Sequence, residues 1–303
     1  MRSRSYFWIK LLSAIVAFSL RHVVFALMLS IGLASRPRDL VPERSKLRAY
    51  LRSLVAIELA VPLLALAIVE IFQLPRLASI LILLMAVCPG APFIPMAAKL
   101  KGEAYSLFGL HMVLLLSVLS IVTLPAWIWV MNWLHPFGFE IPPLRIVDLV
   151  LRTVIVPLAL GTALRHFVPR AAGVLARVVH YVFLAALAVV IVFALYMGAP
   201  VFLTMKPKTA LAVLALFVGS ELIGYIAGSP DPEQRRVTTV AAVLGNPSLA
   251  LAVVGASYPG FKAAAVVAAF VLFRRLALTP VDLWLRRKAR RSSATLPPRA
   301  APA

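Results

Sequence analysis

Nine apolar stretches run along the chain, separated by short connections rich in proline, glycine and charge. They cover Phe7–Ala34 (segment A), Leu51–Phe72 (B), Leu77–Ala98 (C), Ala104–Trp133 (D) and Ile146–Phe167 (E). Ala172–Met197 (F), Ala210–Gly228 (G), Val237–Tyr258 (H) and Ala263–Leu285 (I) complete the set. A helix crossing a bilayer needs about 20 largely apolar residues. Strands facing lipid would leave backbone groups unpaired, so helices are the expected form. No connection is long enough to hold a soluble domain. The pattern predicts an all-α polytopic membrane protein, with one transmembrane unit over residues 1–285 and a disordered basic tail over residues 286–303. Segment A is unusually long and carries Arg21 near its middle. One long tilted helix gives nine spans, and two short helices give ten. Its length and the Arg21–His22 interruption argue against a cleaved signal peptide.

Composition sharpens this picture. The 303 residues are 62% apolar and only 14% charged, with a mean hydropathy of +0.96. Soluble domains run nearer ~45–50% and ~25%, which excludes an ordinary soluble enzyme or a disordered chain. The single cysteine, Cys88, cannot form an internal disulfide. The net charge of +20 sits mostly in short loops, so it points to membrane orientation rather than to nucleic acid. Arginine and lysine crowd the A–B, C–D, E–F and G–H loops and the tail, whereas the opposite loops hold only Arg76, Arg145, Lys206, Lys208 and Lys262. That asymmetry predicts a cytoplasmic C-terminus in a plasma (inner) membrane. Trp127, Trp129 and Trp133 end segment D and Trp284 ends segment I, as an interfacial aromatic belt predicts.

Two segments contain helix breakers at similar depth. Segment C holds Cys88–Pro95, with Pro89, Gly90, Pro92 and Pro95, and segment H holds Gly245, Asn246, Pro247 and Ser248. Proline lacks an N–H and clashes with the preceding turn, so both stretches are expected to be non-helical and adjacent in the core. Broken helices near the midplane expose backbone groups that transporters use to hold substrates and ions. The order helix, broken helix, long helix occurs in B–C–D and again in G–H–I. The copies are five spans apart, which inverts the second relative to the first and predicts an inverted repeat. Ionisable residues inside spans are costly and usually functional. Glu58 and Glu221 are ion-coupling candidates, and Arg274 and Arg275 are candidates for attracting an anion. Structural ion pairing between helices is the alternative for both acids. Asp148 and Arg152, spaced i, i+4, are expected to pair with each other. His111 is expected to be a hydrogen-bonded interior histidine. No metal-binding or hydrolase motif stands out, so neither a cofactor nor an enzymatic activity is expected.

At Cys88-Pro89-Gly90, followed by Lys101-Gly102, the chain resembles the bile acid:sodium symporter superfamily. Asn246-Pro247-Ser248-Leu249-Ala250 is similar to the stretch in that family's second crossing helix. Gly224-Tyr225 and Arg152 before Pro157 match further family positions. The resemblance covers roughly residues 20–285 and implies panel and core domains with two broken crossing helices. It implies a secondary transporter for a small organic anion, working by alternating access in a lipid bilayer. On this reading the broken helices provide the substrate site, with Pro89, Gly90, Pro92, Pro95 and Gly245–Ser248 as binding residues and Arg274 or Arg275 as the attraction for negative charge. The departures concern the ion. Phe93-Ile94-Pro95 stands where the family has a Ser-Asn pair, and Ala241 where it has a glutamate. A dehydrated hard cation then has few oxygen ligands. Sodium coupling does not carry over, and proton and sodium both remain candidates, with Glu58 able to supply an acid from another helix. A non-transporting sensor or scaffold on the same fold, and an integral-membrane enzyme, are the rival readings.

Overall fold

The computed structural model describes residues 22–90, 92–97, 106–135, 137–139, 141–228 and 230–246, together with 249, 250, 252, 253 and 257. All regular structure among the described residues is helical. Helix α1 is His22–Ala34. Segment B forms α2 (Leu47–Val55) and α3 (Val61–Phe72), joined by a π turn over Ala56–Ala60. Segment C forms α4 (Arg76–Val87) and, beyond the break, the single turn α5 (Ile94–Ala97). The long α6 spans Leu107–Leu134. Segment E forms α7 (Pro143–Val150), a π turn over Leu151–Ile155, and α8 (Val156–Phe167). Helices α9 (Pro169–Leu203), α10 (Pro207–Ala227) and α11 (Pro232–Val243) follow. Segment I, with Arg274, Arg275 and Trp284, lies outside the described residues, as do Arg21, Lys101, Gly102, Pro247, Ser248 and the basic tail.

Five helical stretches are long and apolar enough to cross a membrane: Pro37–Phe72, Leu107–Leu134, Pro143–Phe167, Pro169–Phe193 and Pro207–Ala227. The 12-residue α4 is too short because its proline-rich break stops it.

Several helices begin earlier than the apolar pattern alone suggests. Asp231 caps α11, accepting a hydrogen bond from the Gln234 N–H at 2.9 Å, and Pro232 occupies the first helical position. Arg235 and Arg236 therefore lie in the first turns of a helix rather than in a loop, and Arg236 is buried. A proline at the first position costs no hydrogen bond there and presets φ. That start outweighs the polar character of the first turn.

The described helices fall into two groups. In one, α1 and α8 pack backbone to backbone. A Cβ added to Gly161 would lie 2.6 Å from both the Leu29 carbonyl oxygen and the Leu33 nitrogen. Only glycine permits so close an approach. Helix α9 leaves this group with most of its surface facing outward: its apolar window is only 6% buried. The other group holds α2–α6, α10 and α11. Its buried residues include Leu83, Leu84, Met85, Leu110, Leu216 and Val240. Phe183 of α9 is buried and meets Phe93, on the first break, with ring centroids 6.1 Å apart. That ring pair, together with the packing of α7 and the π turn after it on α6, ties the two groups together.

Candidate functional site

The two broken segments meet. Cys88 ends α4 with φ −104° and ψ 80°, and the chain stays non-helical to Gly90. Gly90 has φ +79°, the left-handed region that favours glycine. A Cβ there would also lie 3.3 Å from the Ser117 Oγ on α6. On the other segment, α11 ends at Val243 and Leu244–Asn246 is non-helical. The Asn246 N–H donates to the Cys88 carbonyl at 2.6 Å, and its side-chain amide donates to the Gly90 carbonyl at 3.3 Å. Its side-chain oxygen accepts from the Leu249 N–H at 3.4 Å, as an N-cap residue does. One asparagine thus serves carbonyls orphaned by the first break and opens the helix after the second. Cys88, Pro89, Gly90, Gly245 and Asn246 are all buried.

The structure corrects the extent of the first break. Pro95, expected outside helix, belongs to α5 together with Ile94. A proline in the first turn of a helix needs no N–H partner. Pro92 lies in the turn before it and is buried. The Pro95 carbonyl accepts from the Ser106 N–H at 2.9 Å, which docks α5 at the start of α6.

Glu58 sits in the π turn between α2 and α3 and is only 4% exposed. The turn has a local cause. Pro62 lacks the N–H that would satisfy the Glu58 carbonyl in an α-helix, and the Val61 N–H reaches back to Ala56 instead. The Glu58 carbonyl is taken by the Trp127 indole N–H at 2.8 Å. Trp127 was expected in the interfacial belt with Trp129 and Trp133. Those two are exposed, at 69% and 75%, but Trp127 turns inward to this carbonyl. Thr123, one turn earlier on α6, is the hydroxyl beside the Glu58 carboxyl. The carboxyl's Oε1 has no hydrogen-bond partner among the described residues. Cys88 lies within electrostatic reach of the same carboxyl. The buried Ser117 hydroxyl likewise lacks a partner among the described residues. A buried acid, a serine hydroxyl and the first break therefore occupy one region of the core.

Toward the basic end, polar side chains bind these helices together. Ser53 on α2 meets Thr238 on α11, hydroxyl to hydroxyl, at 2.6 Å. Thr238 donates onward to the Gln234 carbonyl, so Ser53 is the donor of that pair. Ser106 donates to Glu233 at 2.7 Å while accepting from the Gly109 N–H at 2.9 Å. His111 is the interior hydrogen-bonded histidine expected: it contacts the Tyr50 hydroxyl at 2.7 Å and the Asp39 carbonyl at 2.9 Å. Because the carbonyl can only accept, Nε2 carries the proton and Tyr50 donates to Nδ1. Asp148 and Arg152 pair as expected, on an exposed face. Glu221 lies half-buried on α10, which packs along α11, the helix that ends at the second break. Reading residues alone missed Trp127, Thr123, Ser117 and Ser53. The first had a visible signal, since a proline four residues after Glu58 implies a free carbonyl that needs a donor.

A model of the sodium bile acid symporter family matches residues 22–205. The chain belongs to that family. Relatives named sodium/bile acid cotransporter 4, from mouse, human and rat, are each 28% identical over 169 residues. The matched stretch is 55% of this chain but 38% of each relative. The family match includes α1–α9 with the first break, Glu58 and the α6 residues around it. Ile94 and Ala241 are both buried apolar residues.

Proposed function

We propose that this protein is a secondary transporter that carries a small organic anion by alternating access, with Glu58 as its proton-coupling group. The observation that carries the reading is the direct hydrogen bonding of the second break to the first, beside a buried carboxyl in a π turn. Hydrogen bonds of Asn246 to the Cys88 and Gly90 carbonyls make the two breaks one unit, so substrate bound there is felt by both repeats. π turns inside helices are frequent at functional sites, where they open a carbonyl and reposition a side chain. Glu58 has a hydroxyl beside it, and one of its oxygens is without a partner among the described residues, which suits a group that gains and loses a proton. Sodium is the weaker candidate, because Phe93, Ile94 and Ala241 offer no side-chain oxygen. Arg274 and Arg275 supply positive charge for the anion, and Pro89, Gly90, Pro92, Pro95 and Gly245–Ser248 shape the backbone around it. The basic end faces the cytoplasm of a plasma (inner) membrane.

The test is uptake into proteoliposomes under imposed gradients, with labelled cholate as the probe. A proton gradient accelerates uptake by the native protein, and a sodium gradient at constant pH does not. Glu58→Gln keeps cholate binding and loses the response to the proton gradient. Sodium-driven uptake that survives Glu58→Gln overturns the coupling assignment, and cholate binding without any flux supports a sensor instead.

A further inference from the structure

We propose that the outer face of α2 is a binding site for an anionic phospholipid, with Arg48 and Arg52 on its phosphate. The two arginines are one helical turn apart, about 6 Å along the axis, and both are exposed. Arg44 precedes them on the same course and is exposed too. None of the three makes an ion pair or hydrogen bond among the described residues. The neighbouring acid is already engaged: Glu43 pairs with Lys46 at 2.8 Å. Glu58, the next acid along the chain, is buried on the inner side. Beyond the arginines, the same side of the segment is apolar and exposed. Val55 is 56% exposed, Leu59 49% and Leu63 56%. From Arg48 to Leu63 the helix rises roughly 22 Å, which accommodates a headgroup and an acyl chain in a single line. Two guanidiniums one turn apart can converge on a phosphate with charge-assisted bonds. A phosphate free in water would gain nothing from the apolar line below, which selects a lipid rather than the ion. The opposite face of these same turns carries Tyr50, bonded to His111, and Ser53, bonded to Thr238. A lipid seated outside therefore braces the helix that holds α6 and α11 inside.

The experiment measures melting temperature of the full chain in a neutral detergent. It is titrated with phosphatidylglycerol, with phosphatidylcholine, or with inorganic phosphate. Phosphatidylglycerol raises the melting temperature at concentrations where the other two do not. In Arg48→Gln/Arg52→Gln the lipid-free melting temperature is unchanged and the phosphatidylglycerol dose for the same shift rises about 30-fold, for two basic contacts of the strength usual at an anionic membrane surface. Arg170→Gln/Arg177→Gln, which removes two equally exposed charges on α9, leaves the dose unchanged. Should the first double variant fail to fold, Arg52→Gln alone decides with a shift of about 5-fold. An unaltered dose in the α2 variants, an equal loss in the α9 variant, or the full shift from inorganic phosphate or phosphatidylcholine overturns the site.

Discussion

Among the described residues a five-residue π turn leads into a proline twice, at Ala56–Ala60 before Pro62 and at Leu151–Ile155 before Pro157. The local geometry is the same in both. The residue after each turn reaches back five positions, Val61 to Ala56 and Val156 to Leu151. Each turn also carries one ionisable residue, Glu58 at its third position and Arg152 at its second. Their fates are opposite. Arg152 stays 78% exposed and pairs with Asp148 one turn earlier. Glu58 is buried among α6, α10 and α11, with no cation among its described hydrogen-bond or ion-pair partners. The proline makes the bulge, but the surrounding helices decide whether the charge beside it becomes an outward-facing ion pair or a buried carboxyl.

The largest break in this comparison comes from inverting charge at each turn. Glu58→Arg places an uncompensated cation in the core, at a cost of roughly 3–5 kcal/mol. Size-exclusion chromatography in detergent should show little folded protein. Arg152→Glu sets two acids side by side on an outward face of the Pro143–Phe167 span, where protonation can neutralise them, and should lower the yield less than Glu58→Arg does. Equal behaviour of the two variants would mean that burial does not separate the turns.

A finer cut removes only the indole donor. Trp127→Phe keeps an aromatic ring but strands the Glu58 carbonyl, at about 1–3 kcal/mol. Pro62→Ala restores an N–H in α-helical register to that carbonyl. The Trp127→Phe penalty should therefore shrink in a Pro62→Ala background, which a double-mutant cycle of melting temperatures measures. Strictly additive losses would show that Trp127 and Pro62 do not share the carbonyl.

The smallest effect belongs to the exposed pair. Asp148→Asn leaves Arg152 without its partner on an outward face of the Pro143–Phe167 span. The long Arg152 side chain can snorkel toward the interface, so the melting temperature should fall less than in Trp127→Phe and cholate flux per folded protein should be unchanged. A loss of flux in that variant would give the second turn a role equal to the first.

Much of this was legible in the residues. Apolar runs located the helices, and Cys88-Pro89-Gly90 and Gly245-Asn246 located both breaks. Helix starts were less legible, because Asp231 with Pro232 and the N-cap Ser106 override the local apolar pattern through hydrogen bonds and preset φ. The resumption of helix at Ile94 was hidden for a related reason. A proline reads as a breaker by composition, but at the start of a helix it is compatible with the fold.

By itself, then, the sequence determined that the chain is helical and membrane-embedded, where its helices break, and that an acid lies inside a span. These properties follow from hydropathy, missing N–H groups and local backbone sterics, all of which act within a few residues. Tertiary structure alone decided which groups meet. That Asn246 serves the carbonyls of Cys88 and Gly90 spans more than 150 residues of chain. The turn of Trp127 to Glu58, away from the exposed face of Trp129 and Trp133, was equally invisible. In a medium without water, an orphaned backbone carbonyl must find a donor from another helix, and only the packing of helices sets which donor that is.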